Sequence, residues 1–279
     1  MKKIAAITMV RNDAFFVRKW IAYYGAQLGR ENLYVFFDGE DQLIPPGCED
    51  VNIQVVPHIE GKVAKADRGR IEFLSRQAEQ LFQRYDIVIG TDIDEFLVVD
   101  PMLGQTLPEF LSGLEGIKGP CVSGLGVDVG QDVVREGPLD KEQPILTQRH
   151  AARLSTRYTK SSVLLRPAPW GSGFHRVRGK NFHIVKDLYL FHFGSADLDR
   201  IKERMASSEL VKAGWAPHLD RRAGTIRIVS SHKARKWSVL VPIARFLQTV
   251  VRPPYAWNKP AMFGLKMIVR IPDRFRQLV

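Results

Sequence analysis

The chain has 279 residues, 45% of them hydrophobic, with 41 Lys and Arg against 30 Asp and Glu for a net charge of +11. That length suits one large domain with a sizeable core. Two cysteines, Cys48 and Cys121, with no Cys-x-x-Cys pair, argue against a disulfide framework and a zinc–thiolate site, and they fit a reducing compartment.

The opening Met1-Lys2-Lys3 followed by Ile4 to Val10 imitates a signal peptide, but the short apolar run meets Arg11-Asn12-Asp13 and lacks a small-residue cleavage site. It reads as a first strand. Nowhere does the chain reach the roughly 18 uncharged apolar residues that span a bilayer. Asp13 is placed to cap a helix through Leu28, stopped by Gly29, with Phe16, Trp20, Tyr23 and Gln27 near one face. Leu33 to Phe37 is a second strand ending in Asp38, and Val51 to Val56 a third. Asp67 is placed to cap a helix reaching Arg84.

The run Ile87-Val88-Ile89 then leads into Asp92, Asp94 and Glu95 before apolar residues resume at Phe96 to Val99. Carboxylates between stretches of core strand are costly unless something positive meets them. Read as one strand, the segment puts residues 92 and 94 on one face, which suits a divalent cation. A solvated acidic turn is the competing reading.

Strands alternating with helices predict an α/β fold with a mostly parallel sheet flanked by helices. Ligands in such sheets collect beyond the carboxyl ends of the strands. That rule gathers the strand ends Val10 to Asp13, Asp38-Gly39, His58 and Asp92 to Glu95 with the cations Lys62, Lys65, Arg68 and Arg70; Val10, Arg11, Asn12, Asp38, Lys65, Arg70, Asp92 and Ile93 are the candidates to bind a nucleotide diphosphate. The acids would serve metal, base or ribose, and the cations phosphate.

Farther on, Leu107 to Leu114 suggests a short helix, and Cys121 to Val127 a strand interrupted by Gly124 and Gly126. The segment 124–130 lacks the strand–GxGxxG–helix spacing of a dinucleotide site. Residues 160–193 look β-rich, with strands expected at Ser161–Leu165, Phe174–Val177 and Phe182–Phe193. Among His175, His183 and His192, the last sits in Leu190-Phe191-His192-Phe193, as either a core histidine or a partner for the acids. Asp197 is placed to cap a helix from Leu198 to Lys212.

Charge divides unevenly: residues 1–132 carry 13 Lys and Arg with 20 acids, and residues 133–279 carry 28 with 10. The basic half must meet something anionic. From Ala216 the chain mixes Arg and Lys with apolar runs and Trp237, Tyr255 and Trp257. This fits a surface helix on an anionic membrane, or a wrap packed on the domain or against a second copy. Nucleic acid is the weaker option, because no recognised module accompanies the charge. The expected division is therefore 1–215 as the α/β domain and 216–279 as a basic amphipathic C-terminal extension.

Together the motifs resemble those of the GT-A glycosyltransferases, in the family 2-like group near the family 92 domain. Thr8-Met9-Val10-Arg11-Asn12-Asp13 carries the likeness, with Trp20 to Tyr24, Leu28-Gly29 and Tyr34 to Asp38. Thr91-Asp92-Ile93-Asp94-Glu95-Phe96 and Leu190 to Phe193 complete it, so it covers roughly residues 1–212. The resemblance implies a nucleotide-sugar donor, usually a UDP-sugar, and a Mn²⁺ or Mg²⁺ ion bridged to the diphosphate by Asp92 and Asp94. Asp94 would be the direct ligand and His192 a further one. Inverting members need a base for the acceptor hydroxyl, for which Asp128, Asp132 and Glu136 are candidates, Asp128 first. Lys19 stands where many relatives have an acid. Trp170 to His175 offers a loop over the sugar, or a plain turn.

The function expected is a metal-dependent hexosyltransferase acting on a glycan or lipid-linked acceptor of bacterial surface polysaccharide. It would be cytoplasmic or peripheral on the inner face of the membrane. The alternatives are a sugar-phosphate nucleotidyltransferase, disfavoured by the lack of glycine in Val10 to Asp13, and a non-catalytic membrane- or glycan-associated scaffold.

Overall fold

A computed structural model describes residues 1–177, 179, 183–212 and 214–279, without the side chain of Glu209. The first strand, β1 (Ile4–Val10), is buried along its whole length, as a continuous apolar run should be when helices cover both faces. Asp13 caps α1 (Ala14–Leu28), its carboxylate accepting from the Phe16 amide at 3.1 Å. Next come β2 (Leu33–Asp38), β3 (Asn52–Val56), α2 (Val63–Leu81) and β4 (Ile87–Gly90). The order β4-β1-β2-β3 is parallel throughout, the α/β arrangement expected. Helix α2 starts earlier than its expected cap: Lys62 is the cap residue, and Asp67 lies inside the helix, bound by Arg70 at 2.9 Å.

The acids do not lie within one strand. β5 (Glu95–Val99) leaves the parallel array, and residues 91–94 form the turn between it and β4. Strand alternation therefore does not place Asp92 and Asp94; the turn does.

The remaining elements are α3 (Leu107–Ser112), β6 (Cys121–Gly130), α4 (Ile145–Gln148), β7 (Ala151–Leu154), β8 (Val163–Leu164), β9 (Ile184–Ser195), α5 (Leu198–Ala206), α6 (Ser208–Lys212), α7 (Ala216–Ser231), α8 (Trp237–Val250) and β10 (Met267–Arg270). β8 pairs antiparallel with both β4 and β6, joining the parallel half to a mixed half. There β6 runs parallel to β9 and antiparallel to β7, and β9 runs antiparallel to β5. The strand expected at 174–177 is instead a 3₁₀ turn, Ser172–Phe174, with an isolated bridge between Trp170 and Val177. The expected strand start at Phe182 falls outside the described residues.

The expected boundary at 215 falls inside continuous packing. Trp237, Val241 and Ala244 of α8 are buried in the same core as Phe191 and Phe275. β10 extends the sheet through β7, pairing Val269 with Ala152. The basic half also meets the acidic half directly, through Asp13–Arg200, Asp92–Lys160, Asp94–Arg222 and Asp100–Arg274. Among the described residues no helix is long and apolar enough to cross a membrane.

Candidate active site

The carboxyl ends of β1, β2 and β4 open into a cleft of about 1330 Å³, whose other walls are α2, the 153–160 segment and α7. It exceeds the roughly 300–1,000 Å³ of ordinary ligand pockets, leaving room for two substrates side by side. Val10, Arg11, Asn12 and Asp38 line one end. Asn12 follows β1 in the left-handed region, φ 50°, a conformation Asn tolerates better than bulkier residues. Its amide donates to Gln42. Arg11 grips the Asp41 carboxylate with two hydrogen bonds of 2.8 and 2.9 Å. Asp38 accepts from the Ile59 amide at 2.8 Å and pairs with His58.

The acid turn forms the middle of the cleft. Asp92 is held by two cations, Arg70 at 2.8 Å and Lys160 at 2.6 Å. Burial opposes its ionisation, but these two neighbours outweigh it and hold the carboxyl below the usual range. Lys160, itself buried, also reaches Glu95 at 2.6 Å. Burial of Glu95 pushes its carboxyl up, with Asp92 and Asp94 adding to the shift against the pull of Lys160.

Asp94 lies 2.8 Å from the Arg222 guanidinium and 3.5 Å from Nε2 of His192. The other ring nitrogen of His192, Nδ1, is 2.7 Å from Asp128, and the Thr225 hydroxyl donates to the second oxygen of Asp128 at 2.8 Å. Tyr158 stacks on the imidazole, ring centres 3.7 Å apart. Burial alone would lower His192, yet Asp94 and Asp128 together lift it to about 9. Asp94 is lowered against its own burial, by Arg222 first and His192 second.

A divalent ion fits this donor set in part. Nε2 of His192 and an oxygen of Asp94 face each other at 3.5 Å across the cleft lining, and the contact with Asp128 fixes the opposite side of the ring, so an ion bound here would displace the proton that Nε2 now carries. Both oxygens of Asp92 are engaged by cations, and the Asp94 oxygen that faces His192 is engaged by Arg222. No group of three or more such ligands occurs among the described residues.

Three other expected residues lie off the cleft lining. Glu136 lies off the cleft: it accepts from the amides of Asp132 and His150 and ties down the turn after β6. Asp132 is engaged in that same turn, with Val134 and Arg135. Lys65 is exposed and does not line the cleft, whereas Lys62, Arg68 and Arg70 do. Ile93 does line it, as do Ser172, Gly173 and His175 of the expected loop.

Sequence reasoning missed Tyr158, Lys160, Arg222 and Thr225. The first two depend on Gly126, where an added Cβ would strike the backbone of Ser155 and Tyr158; only glycine lets that turn approach β6. Gly194 similarly leaves room for the Arg222 head group. Glycines interrupting β6 were the only visible signal of this close approach.

No protein-family model matches the chain, and no curated protein matches it. Among solved structures, it is similar to a mannosyltransferase, PcManGT from Pyrobaculum calidifontis, described in complex with GDP-Man and Mn²⁺. That match has 12% identity, covers 89% of this chain and 81% of the other, and has a TM-score of 0.35. The bifunctional glycosyltransferase WbbM matches at 15% identity over 48% of this chain and 24% of its own, TM-score 0.24. A mannose-1-phosphate geranyltransferase from Thermus thermophilus matches at 11% identity over 80% and 68%, TM-score 0.27. At such scores the functional reading rests on the site itself.

Proposed function

We propose that the cleft binds a nucleotide sugar and that the chain transfers its sugar to an acceptor hydroxyl, on the plan of the GT-A glycosyltransferases its motifs resemble. The observation that carries this reading is the row Asp94–His192–Asp128 beside Asp92, set at the carboxyl end of a parallel sheet and bordered by Arg70 and Lys160. Few ligands other than a diphosphate with a counterion call for fixed carboxylates and fixed cations in one place.

In this reading Arg11, Asn12 and Asp38 face the nucleoside, and Arg70 and Lys160 face the diphosphate. Lys160 is anchored from two sides, so its ammonium is already in place when the leaving group builds charge. Asp94 and His192 would hold Mn²⁺ or Mg²⁺, which when bound supplies Lewis-acid neutralisation of the leaving diphosphate. Asp128 is then a positioning residue: both its oxygens are engaged, and it orients His192 rather than taking the acceptor proton. The donor we propose is a UDP-sugar, and the acceptor a glycan or lipid-linked glycan of the bacterial surface. Arg153, Arg157 and Arg221 line the far end of the cleft, which suits an acceptor bearing phosphate or carboxylate.

The test is Mn²⁺-stimulated release of UDP from a panel of UDP-sugars. Wild-type protein should release UDP, and Asp94→Ala should not. Activity unchanged by that substitution removes the metal role, and pyrophosphate release from a nucleoside triphosphate with a sugar phosphate would replace glycosyl transfer with nucleotidyl transfer.

A further inference from the structure

Helix α8 is apolar on two opposite sides. Trp237, Val241, Ala244 and Gln248 are buried, and they recur at helical spacing along one face. Val239, Ile243, Phe246 and Val250 are exposed, Phe246 at 65%. These four recur at the same spacing, shifted by two residues, which turns them about 200° away from the buried face. A helix whose outer stripe is this apolar has a partner that water does not supply.

The segment after α8 repeats the pattern. Trp257 is 84% exposed and Phe263 75%. Phe263 adopts a left-handed φ of 50° ahead of Gly264, a conformation that costs a bulky residue energy and here leaves its ring in solvent.

Charge identifies the occupant. From Arg221 to Pro272 the chain has eleven Lys and Arg and no Asp or Glu. Two copies meeting on this face would bring like charges together, which disfavours self-association. A nucleic acid would use the cations but leave the aliphatic stripe in water.

We propose that the outer face of α8, with Trp257 and Phe263, docks on an anionic lipid bilayer, the apolar side chains entering the headgroup boundary and the surrounding lysines and arginines facing acidic lipid. Gln248 on the inner face accepts from Thr159, next to Lys160. The docked surface thus lies roughly one helix diameter, about 10 Å, from the cleft wall. The docking itself does not depend on the glycosyltransferase reading.

Co-sedimentation of the full chain with vesicles tests this, using phosphatidylcholine alone or mixed with phosphatidylglycerol. Wild-type protein should pellet with the mixed vesicles only and be released by salt. Ile243→Gln/Phe246→Gln should weaken binding about tenfold or more, and Lys236→Gln/Lys266→Gln roughly fivefold per cation. All four side chains are exposed, so the variants should melt like wild type, confirming that lost binding is not lost folding. Absence of wild-type binding, or equal binding to both vesicle types, overturns the proposal. So does a wild-type dimer in solution that Ile243→Gln/Phe246→Gln breaks apart, because a second copy would then cover the stripe.

Discussion

Replacing Lys160 with Met keeps the volume of the side chain and removes its charge. Lys160 is 2% exposed and lies 2.6 Å from both Asp92 and Glu95, so the substitution leaves two carboxylates close together with one cation fewer. Breaking a buried ion pair by deleting one partner costs about 3–5 kcal/mol. The Asp92 side chain keeps 27% exposure and its contact with Arg70, which points to the lower end, about 3 kcal/mol. For a chain of this size that lowers the melting temperature by roughly 5 °C.

The loss should depend on pH. Asp92 is depressed in the folded wild type, so its stabilisation is present above the ordinary aspartate value of about 3.9 and fades as pH falls through that range. Lys160 is raised, so its share is fully present below about 10.4. Both therefore act at pH 7.5. In Lys160→Met, Glu95, already raised by burial, loses the cation that lowers it, and Asp92 keeps only Arg70, so the folded variant takes up protons more readily than the folded wild type. The gap between variant and wild type should then narrow as pH falls from 7.5 towards 4.5. Calorimetric melts across that range measure it. Equal melting at pH 7.5, or a gap that does not change with pH, would refute the electrostatic account of the acid turn.

Other outcomes follow from the same contacts. Arg222 occupies the Asp94 oxygen that a metal would need, so Arg222→Ala should tighten Mn²⁺ binding in the absence of nucleotide, by about tenfold for one lost charge-assisted hydrogen bond. A weaker Mn²⁺ titration would contradict that. Gly126→Ala should destabilise the fold by about 1–3 kcal/mol through overpacking. It should also weaken nucleotide binding by displacing Tyr158 and Lys160; unchanged melting would show that the 155–160 turn moves freely.

The parallel half was legible because its signals are local. Three buried strands, β1, β2 and β4, read as apolar runs, Asp13 is an N-cap within reach of its own helix, and the acids interrupt a core pattern. The rest of the site is non-local. Lys160 stands 68 positions from Asp92 and Arg222 128 from Asp94, and nothing in their own neighbourhoods marks them as partners. The charge asymmetry between the halves was the sequence-level trace of these pairings, but it does not say which cation meets which acid. The segment after 215 was hard to divide for a different reason: α8 is apolar on both sides, so one face packs as core while the other resembles a surface helix.

The central claim is that Asp94 and His192 form the metal end of a nucleotide-sugar site. Calorimetric titration of UDP into the protein, with and without Mn²⁺, tests it most directly. Wild type should bind UDP more tightly with Mn²⁺, and that increment should vanish in Asp94→Ala and shrink in His192→Ala. If wild-type protein binds UDP equally with and without Mn²⁺, or if Asp94→Ala keeps the full increment, the site does not work in this way.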